Sequence, residues 1–377
     1  MQPIIDASIN KSVTFFKPKL IIHLKGNLMK KMIGTLLVLC TIGANAQSTQ
    51  RTASYMPEGG YASTIKSEFI KPSLQKQLQV GQKIEHLTKR NFAGETTVQR
   101  LTERSYWVQT GFYNTVFYVG HQGVLVMDPI GYGSSVSVLK AIQSITDKPV
   151  TAVIYSHHHE DHIGDIGLYI KQAKKASVNL RIIATYATAA AMRAGGSELP
   201  QPTEKLNFLS DSTTFENLTI KVEGFATAAH SSDAAVWLLE QEKIAHIPDL
   251  LNPNQLPYLG FGGSETYVGY KENLQALDKM QWKYLSAGHG NIGSHGDVKF
   301  MLNYLDDLES AIQAASKASP FEDFFIAKFN NHQASAHEMQ ESIINKTMDS
   351  LRGKYGEFYG FEASVPYQIR MVLDSWG

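Results

Sequence analysis

Residues 155–164 read YSHHHEDHIG and place four histidines and two acids within ten positions. The run VTAVIY (150–155) delivers this cluster, and its apolar, β-branched character predicts a buried strand that ends where the histidines begin. A loop needing only solubility has no reason to follow such a strand, so the solvated-loop reading fits poorly and a metal site fits well. Side chains alternate along an extended chain, so His157 and His159 project to one side and can share a cation. Asp161 and His162, at the following turn, point toward a second position nearby.

Working outward, further donors stand at the same kind of place. His230 follows the strand-like LTIKVEGF (218–225), Asp249 ends KIAHIPD (243–249), and His289 lies in YLSAGHG (284–290). Each alone reads as an ordinary loop residue. Together with the cluster they make a ligand set scattered over more than a hundred positions. His158 and Glu160 alternate with the ligands and face away. His246 and His295 read as supporting or surface groups. Ser231, Ser232 and Asp233 beside His230 raise a Ser/His/Asp nucleophile, but no G-x-S-x-G elbow accompanies them.

Tyr106–Gly120 and GVLVMDP (123–129) predict successive antiparallel strands, with turns at Gly111 and at His121-Gln122-Gly123. Ser134 reads as the cap of a helix over 134–145. LRIIATYAT (180–188) and AAVWLLEQ (234–241) add strands, and helices are expected near 187–194 and 268–280. Strands joined by both hairpins and helices predict a mixed α/β fold in packed layers. Beyond Asp297 the pattern is helical almost to Trp376, and no fixed-period repeat is visible. A helix over Ile65–Leu78, interrupted by Pro72, is expected ahead of the first strands.

The 377 residues carry 35 Lys+Arg against 35 Asp+Glu. Without a basic excess to neutralise phosphates, a nucleic-acid partner is excluded and a small-molecule substrate is expected. Cys40 is the single cysteine and lies in MKKMIGTLLVLCTIGANAQ (29–47). Lys30-Lys31, an apolar run too short to stay as a membrane span, and Ala44-Asn45-Ala46 predict a signal peptide over 29–46 cleaved after Ala46. Residues 1–28 are then an upstream segment outside the translated protein, and the mature chain is periplasmic or secreted, with no stable membrane insertion and no cysteine for disulfides or thiolate ligands.

H-x-H-x-D-H followed by a His, an Asp and a final His at strand ends resembles the metallo-β-lactamase superfamily of binuclear metallohydrolases. The resemblance spans about 98–297. It implies an αββα sandwich, with 47–97 as an N-terminal arm and 298–377 as a helical extension packed on the domain. It implies one metal held by His157, His159 and His230, and a second held by Asp161, His162 and His289, with Asp249 bridging both. Asp128 in GVLVMDP matches the family's upstream structural aspartate. Departures from the family pattern are Pro248 before the bridging aspartate, Gly164-Asp165 after the first motif, and Ser231-Ser232-Asp233 after the third. None removes a ligand.

The all-N/O donor set suits two Zn²⁺, with Mn²⁺ or Fe²⁺ as alternatives. A metal-activated hydroxide attacking a carboxylic ester or lactone is the expected chemistry, with Asp161 orienting the nucleophile or carrying its proton. The bridging aspartate resembles lactonases, phosphotriesterases and glyoxalase-II-like thioesterases more than true β-lactamases, and a secreted β-lactamase is the alternative. Tyr258, Phe261 and Tyr267, in the loop-like LNPNQLPYLGFGGSETY (251–267), and Tyr113 with Asn114 at the first hairpin turn, are expected to contact substrate. The C-terminal helices are expected to cover the pocket mouth or to form a homodimer contact.

Overall fold

The computed structural model describes residues 62–85, 87 and 95–376. The expected signal segment, its cleavage point and Cys40 lie outside the described residues.

Seven strands form one sheet in sequence order: β3 (Thr96–Arg100), β4 (Ser105–Thr110), β5 (Tyr113–Val119), β6 (Val124–Val126), β7 (Val150–Ile154), β8 (Arg181–Thr185) and β9 (Glu204–Leu206). The first four are antiparallel and the last four parallel, as hairpins and then helical crossovers dictate. The expected turn at Gly111 is a two-residue hairpin, pairing Thr110 with Tyr113. Gly111 takes φ +59°, which a residue without Cβ adopts freely. The second sheet contains β10 (Ser210–Phe215), β11 (Leu218–Gly224), β12 (Ala235–Leu239), β13 (Ile244–His246) and β14 (Tyr284–Ser286).

Alternation along the strands sorts apolar side chains into three cores. Trp107, Val116, Leu125 and Ile154 from the large sheet meet Ile220, Val222, Trp237 and Ile244 from the small one, so the two sheets pack face to face. On the outer face of the large sheet, Val108, Phe117, Val126 and Val153 pack on α1 (Ser135–Gln143) and α3 (Ile166–Lys175); Met192 of α4 (Tyr186–Ala194) joins them. On the outer face of the small sheet, Val236 and Leu238 pack beneath α5 (Tyr267–Lys279), α6 (His295–Lys317), α7 (His332–Tyr355) and α8 (Phe361–Trp376). The layers are therefore αββα, with the C-terminal extension folded onto the small-sheet side. No helix among the described residues is long and apolar enough to cross a membrane.

Two local expectations are corrected. Residues 65–78 form no helix; apart from β1 (Phe69–Ile70), which pairs in parallel with β2 (Lys83–Ile84), the segment is irregular. Its backbone groups bond across to β3 instead: Ser73 N–H donates to Gln99 Oε1 at 2.9 Å, Gln99 Nε2 donates to Lys76 O at 2.8 Å, and Leu78 N–H donates to Arg100 O at 3.0 Å. Ser134 makes no side-chain cap on α1. Asp165, beside the start of α3, accepts from Gly133 N–H and Ser135 N–H, both at 3.1 Å, and so takes over that role.

Candidate metal centre

The strand directions bring the ligand motifs together. β11 is antiparallel to β12, β12 is antiparallel to β13, and β13 is parallel to β14. Hence β11, β13 and β14 run the same way, and the segments after them carry His230, Asp249 and His289 to one edge. The segment after β7 brings His157 and His159 there, and α2 (Glu160–Ile163) brings Asp161 and His162.

All seven predicted ligands converge. One group gathers His157, His159, His230 and Asp249, the other Asp161, His162, Asp249 and His289; within each, the donor atoms lie within 4.8 Å of one another. Asp249 belongs to both. Its Oδ2 is 3.1 Å from His162 Nε2, 3.2 Å from His230 Nε2 and 3.5 Å from His157 Nε2, and its Oδ1 is 3.0 Å from His289 Nε2. Asp161 Oδ2 sits 3.3 Å from His162 Nε2.

Outer hydrogen bonds fix which ring nitrogen faces inward. A carbonyl can only accept, so His230 Nδ1–H donates to Gly262 O at 2.8 Å and His289 Nδ1–H donates to Phe112 O at 2.9 Å. In the neutral rings that a bound cation requires, both Nε2 lone pairs then point into the site. Ser156 Oγ–H donates to Asp128 Oδ2 at 2.8 Å, leaving Oγ to accept from His157 Nδ1–H at 3.0 Å. Asp128 also accepts from Ser156 N–H at 2.9 Å and from His246 Nε2–H at 2.8 Å, and it lies 3.5 Å from His162 Nδ1. It is a fully buried hub orienting two ligand imidazoles.

This arrangement fits a pair of cations. His157 Nε2 is buried and makes no hydrogen bond, and His230 Nε2 faces His159 Nδ1 at 3.0 Å. Imidazole nitrogens gathered this closely, one of them buried without a hydrogen bond, are costly unless an electron acceptor sits among them. Five imidazoles and two carboxylates make a set that divalent cations satisfy, and it contains no thiolate.

Backbone strain marks the same place. Asp249 takes φ +66°, uncommon for a residue with a Cβ, and costs of order 1–3 kcal/mol. Gly262, at φ +71°, touches it: a Cβ there would stand 2.2 Å from Asp249 O. Gly288 leaves room for His162, whose Cε1 would be 2.6 Å from an added Cβ.

Without a bound cation, electrostatics divide the imidazoles. Burial alone would lower His289, yet hydrogen bonds with Asp161 and Asp249 push it up to about 9. His162 is held well above its usual range because Asp249, Asp128 and Asp161 outweigh burial. Burial holds His157 far down, helped by the neighbouring imidazoles of His162 and His230, and burial likewise lowers His159. For Asp249, burial favours protonation, but His162, His230 and His289 hold the carboxyl well below the usual range.

The metal-free protein therefore has a stability maximum. His162 and His289 have folded-state pKa values above the ordinary 6.5, so their contribution is complete below 6.5 and is lost as the pH rises toward about 9. His157 and His159 have lowered values, so the unfolded chain takes up their protons first and stability falls as the pH drops below 6.5. Thermal melts of chelator-treated protein should peak near pH 6.5; a steady rise up to about pH 9 would contradict these assignments.

A cavity of about 570 Å³ opens over the cluster. Its lining joins His159, Asp161, His230, Asp249 and His289 to Tyr113 and Tyr258, and to Phe112, Asn252, Gln255 and Tyr359. Three expected substrate contacts lie elsewhere. Phe261 is fully buried against Tyr267 and Tyr270, with ring centroids 5.3 and 4.9 Å away. Tyr267 is buried and its hydroxyl donates to Glu309 at 2.5 Å. In both, apolar packing under the helical layer outcompeted exposure. Asn114 is buried below the site, donating to Gly290 O at 3.1 Å and so bracing the loop that carries His289.

Sequence reasoning missed Asn252 and Gln255, although they stand in the stretch flagged as a loop. It missed Tyr359 because nothing local ties that residue to ligands more than sixty positions away. His158 Nδ1 lies 2.8 Å from Asp233 Oδ1, which also accepts from Ser231 Oγ at 2.9 Å. Ser231 thus donates to a carboxylate and not to an imidazole, which is not the order of a Ser/His/Asp nucleophile. His295 stacks on Trp282 at 3.8 Å, away from the cluster.

Residues 108–289 match a family model described as the metallo-beta-lactamase superfamily. Over 82 residues the chain is 30% identical to the 2,4-dinitroanisole O-demethylase subunit beta of Nocardioides sp. (strain JS1661), covering 21% of this chain and 26% of that protein's length. Among solved structures, a metallo-beta-lactamase from Pontibacter korlensis aligns with a TM-score of 0.47 at 17% identity, over 56% of this chain and 99% of its own. The metallo-beta-lactamase IND-7 aligns with a TM-score of 0.48 at 18% identity, over 56% and 98%.

Proposed function

We propose, on the premise that through residues 108–289 this chain belongs to the metallo-beta-lactamase superfamily, that it is a binuclear zinc hydrolase of uncharged carboxylic esters or lactones. The observation that carries the reading is the cavity. Its floor is the two donor groups sharing Asp249, and among the described residues its walls hold neutral polar and aromatic side chains with no lysine or arginine. A β-lactam of the usual kind carries a carboxylate that such walls do not pair, whereas Asn252 and Gln255 can hydrogen-bond a neutral carbonyl or alkoxy oxygen.

Bound by these donors, two divalent cations supply hydroxide near neutral pH and polarise a carbonyl oxygen. Asp161 lines the cavity, and His162 and His289 hold its carboxyl far below the usual range against the effect of burial. That carboxylate belongs to the second donor group and opens on the cavity, where it would orient the attacking nucleophile. Asp128, Ser156 and His246 keep the imidazoles oriented throughout. The reading includes export, supported by Lys30-Lys31, the apolar run and Ala44-Asn45-Ala46.

The test is a panel of lactones, aryl esters, phosphotriesters and nitrocefin given to protein of known metal content. Turnover of esters or lactones, with nitrocefin near its uncatalysed rate, is expected. Robust nitrocefin hydrolysis without ester hydrolysis would replace this reading with the β-lactamase one. Asp161→Asn, which keeps a donor oxygen but loses the charge that orients the nucleophile, should lower kcat about 10²-fold. Unchanged kcat would remove Asp161 from that role.

A further inference from the structure

We propose that the C-terminal helical extension builds the specificity wall of the cavity, with Tyr359 and Tyr258 forming a platform for an aromatic group on a neutral substrate. The proposal deepens the ester or lactone reading and rests on it for the identity of the reacting bond.

Tyr359 lies between α7 and α8, more than sixty residues beyond His289, yet it lines the cavity together with Phe112, Tyr113 and Tyr258. Four aromatic side chains around one opening form a face suited to a flat apolar ligand. Tyr258 is 61% exposed, so its position depends on the loop beneath it. That loop is tied to the extension by three hydrogen bonds. Leu256 N–H donates to Tyr359 O at 3.2 Å, Leu259 N–H donates to Ser364 Oγ at 3.0 Å, and Gln368 Nε2 donates to Pro257 O at 2.7 Å.

Packing closes the same seam. A Cβ on Gly260 would stand 2.3 Å from the Tyr367 ring and 2.4 Å from Met371 Sδ, both on α8. Leu259 and Phe261 are held at φ +41° and +52°, conformations that a free loop of such residues would leave. The extension thus holds the Tyr258 loop before any ligand arrives, which spares a substrate the cost of ordering it. Among the described residues the walls beyond the donor groups are neutral, which suits a neutral partner.

The experiment compares kcat/KM for 2-naphthyl acetate and methyl acetate, and the affinity of the slowly reacting N-(2-naphthyl)acetamide by calorimetry, in the metal-loaded wild type, Tyr359→Ala, Tyr258→Ala and Tyr359→Phe. Each alanine variant should lower the naphthyl-to-methyl ratio about tenfold and weaken amide binding by a similar factor, while Tyr359→Phe keeps both. Thermal melting and metal content check that the variants are folded. An unchanged ratio and affinity in both alanine variants would overturn the wall, as would failure of the amide to bind the wild type. Amide binding that depends on Tyr359, with no ester hydrolysed, would keep the wall and overturn the ester reading.

Discussion

Asp249→Asn should give a folded chain that binds metal poorly and loses about 10³-fold in kcat/KM, the several kcal/mol that metal-based charge stabilisation supplies. Asn is the informative replacement because Asp249 stands at φ +66°, and Asn tolerates that region better than other residues with a Cβ. The backbone, the Asp249 N–H bond to Ala287 O at 3.1 Å and the contact with Gly262 are therefore kept. What disappears is the negative charge facing His157, His162, His230 and His289. Both donor groups lose their common member, so metal content and turnover should fall together. A variant with full metal content and near-normal turnover would show that the carboxylate is only a spectator.

Lys83→Met should destabilise the protein by about 3–5 kcal/mol, the cost of leaving a buried charge without its partner. Lys83 is fully buried, and its Nζ donates to Asp297 Oδ1 and Oδ2 at 2.8 and 2.7 Å and to Ile292 O at 2.6 Å. Asp297 in turn accepts from Ser294 N–H at 2.8 Å at the start of α6. Alongside, Asn291 exchanges hydrogen bonds with Ile84 N–H and O at 3.0 and 2.9 Å. Residues 83–84 thus pin the loop that carries His289. Urea unfolding of metal-loaded protein at constant m-value checks the figure, and Lys83→Met/Asp297→Asn should recover part of the loss by removing the orphaned charge. A single-variant loss under about 1 kcal/mol would mean that the pair is solvated.

The site was more legible in the sequence than its surroundings. The convergence of the seven donor residues could be read because strand ends fix where a side chain emerges and because imidazoles and carboxylates announce themselves by type. The layer order followed from hairpins giving way to crossovers after β6. The cavity walls were harder. Phe261 and Tyr267 look identical in sequence to the exposed Tyr258, and only the position of the C-terminal helices decides which ring is covered. Tyr359 reaches the site through packing of α8, for which no local pattern exists. The failed helix over 65–78 has a similar cause, since its backbone found partners on β3, far along the chain.

The most direct measurement is a zinc titration of chelator-treated protein, reading bound metal by mass spectrometry and hydrolysis of an aryl ester on the same samples. Two ions should bind per chain, with activity rising from near zero to its full value as the sites fill. Full hydrolysis by the metal-free chain, or saturation without any retained zinc, would contradict the account.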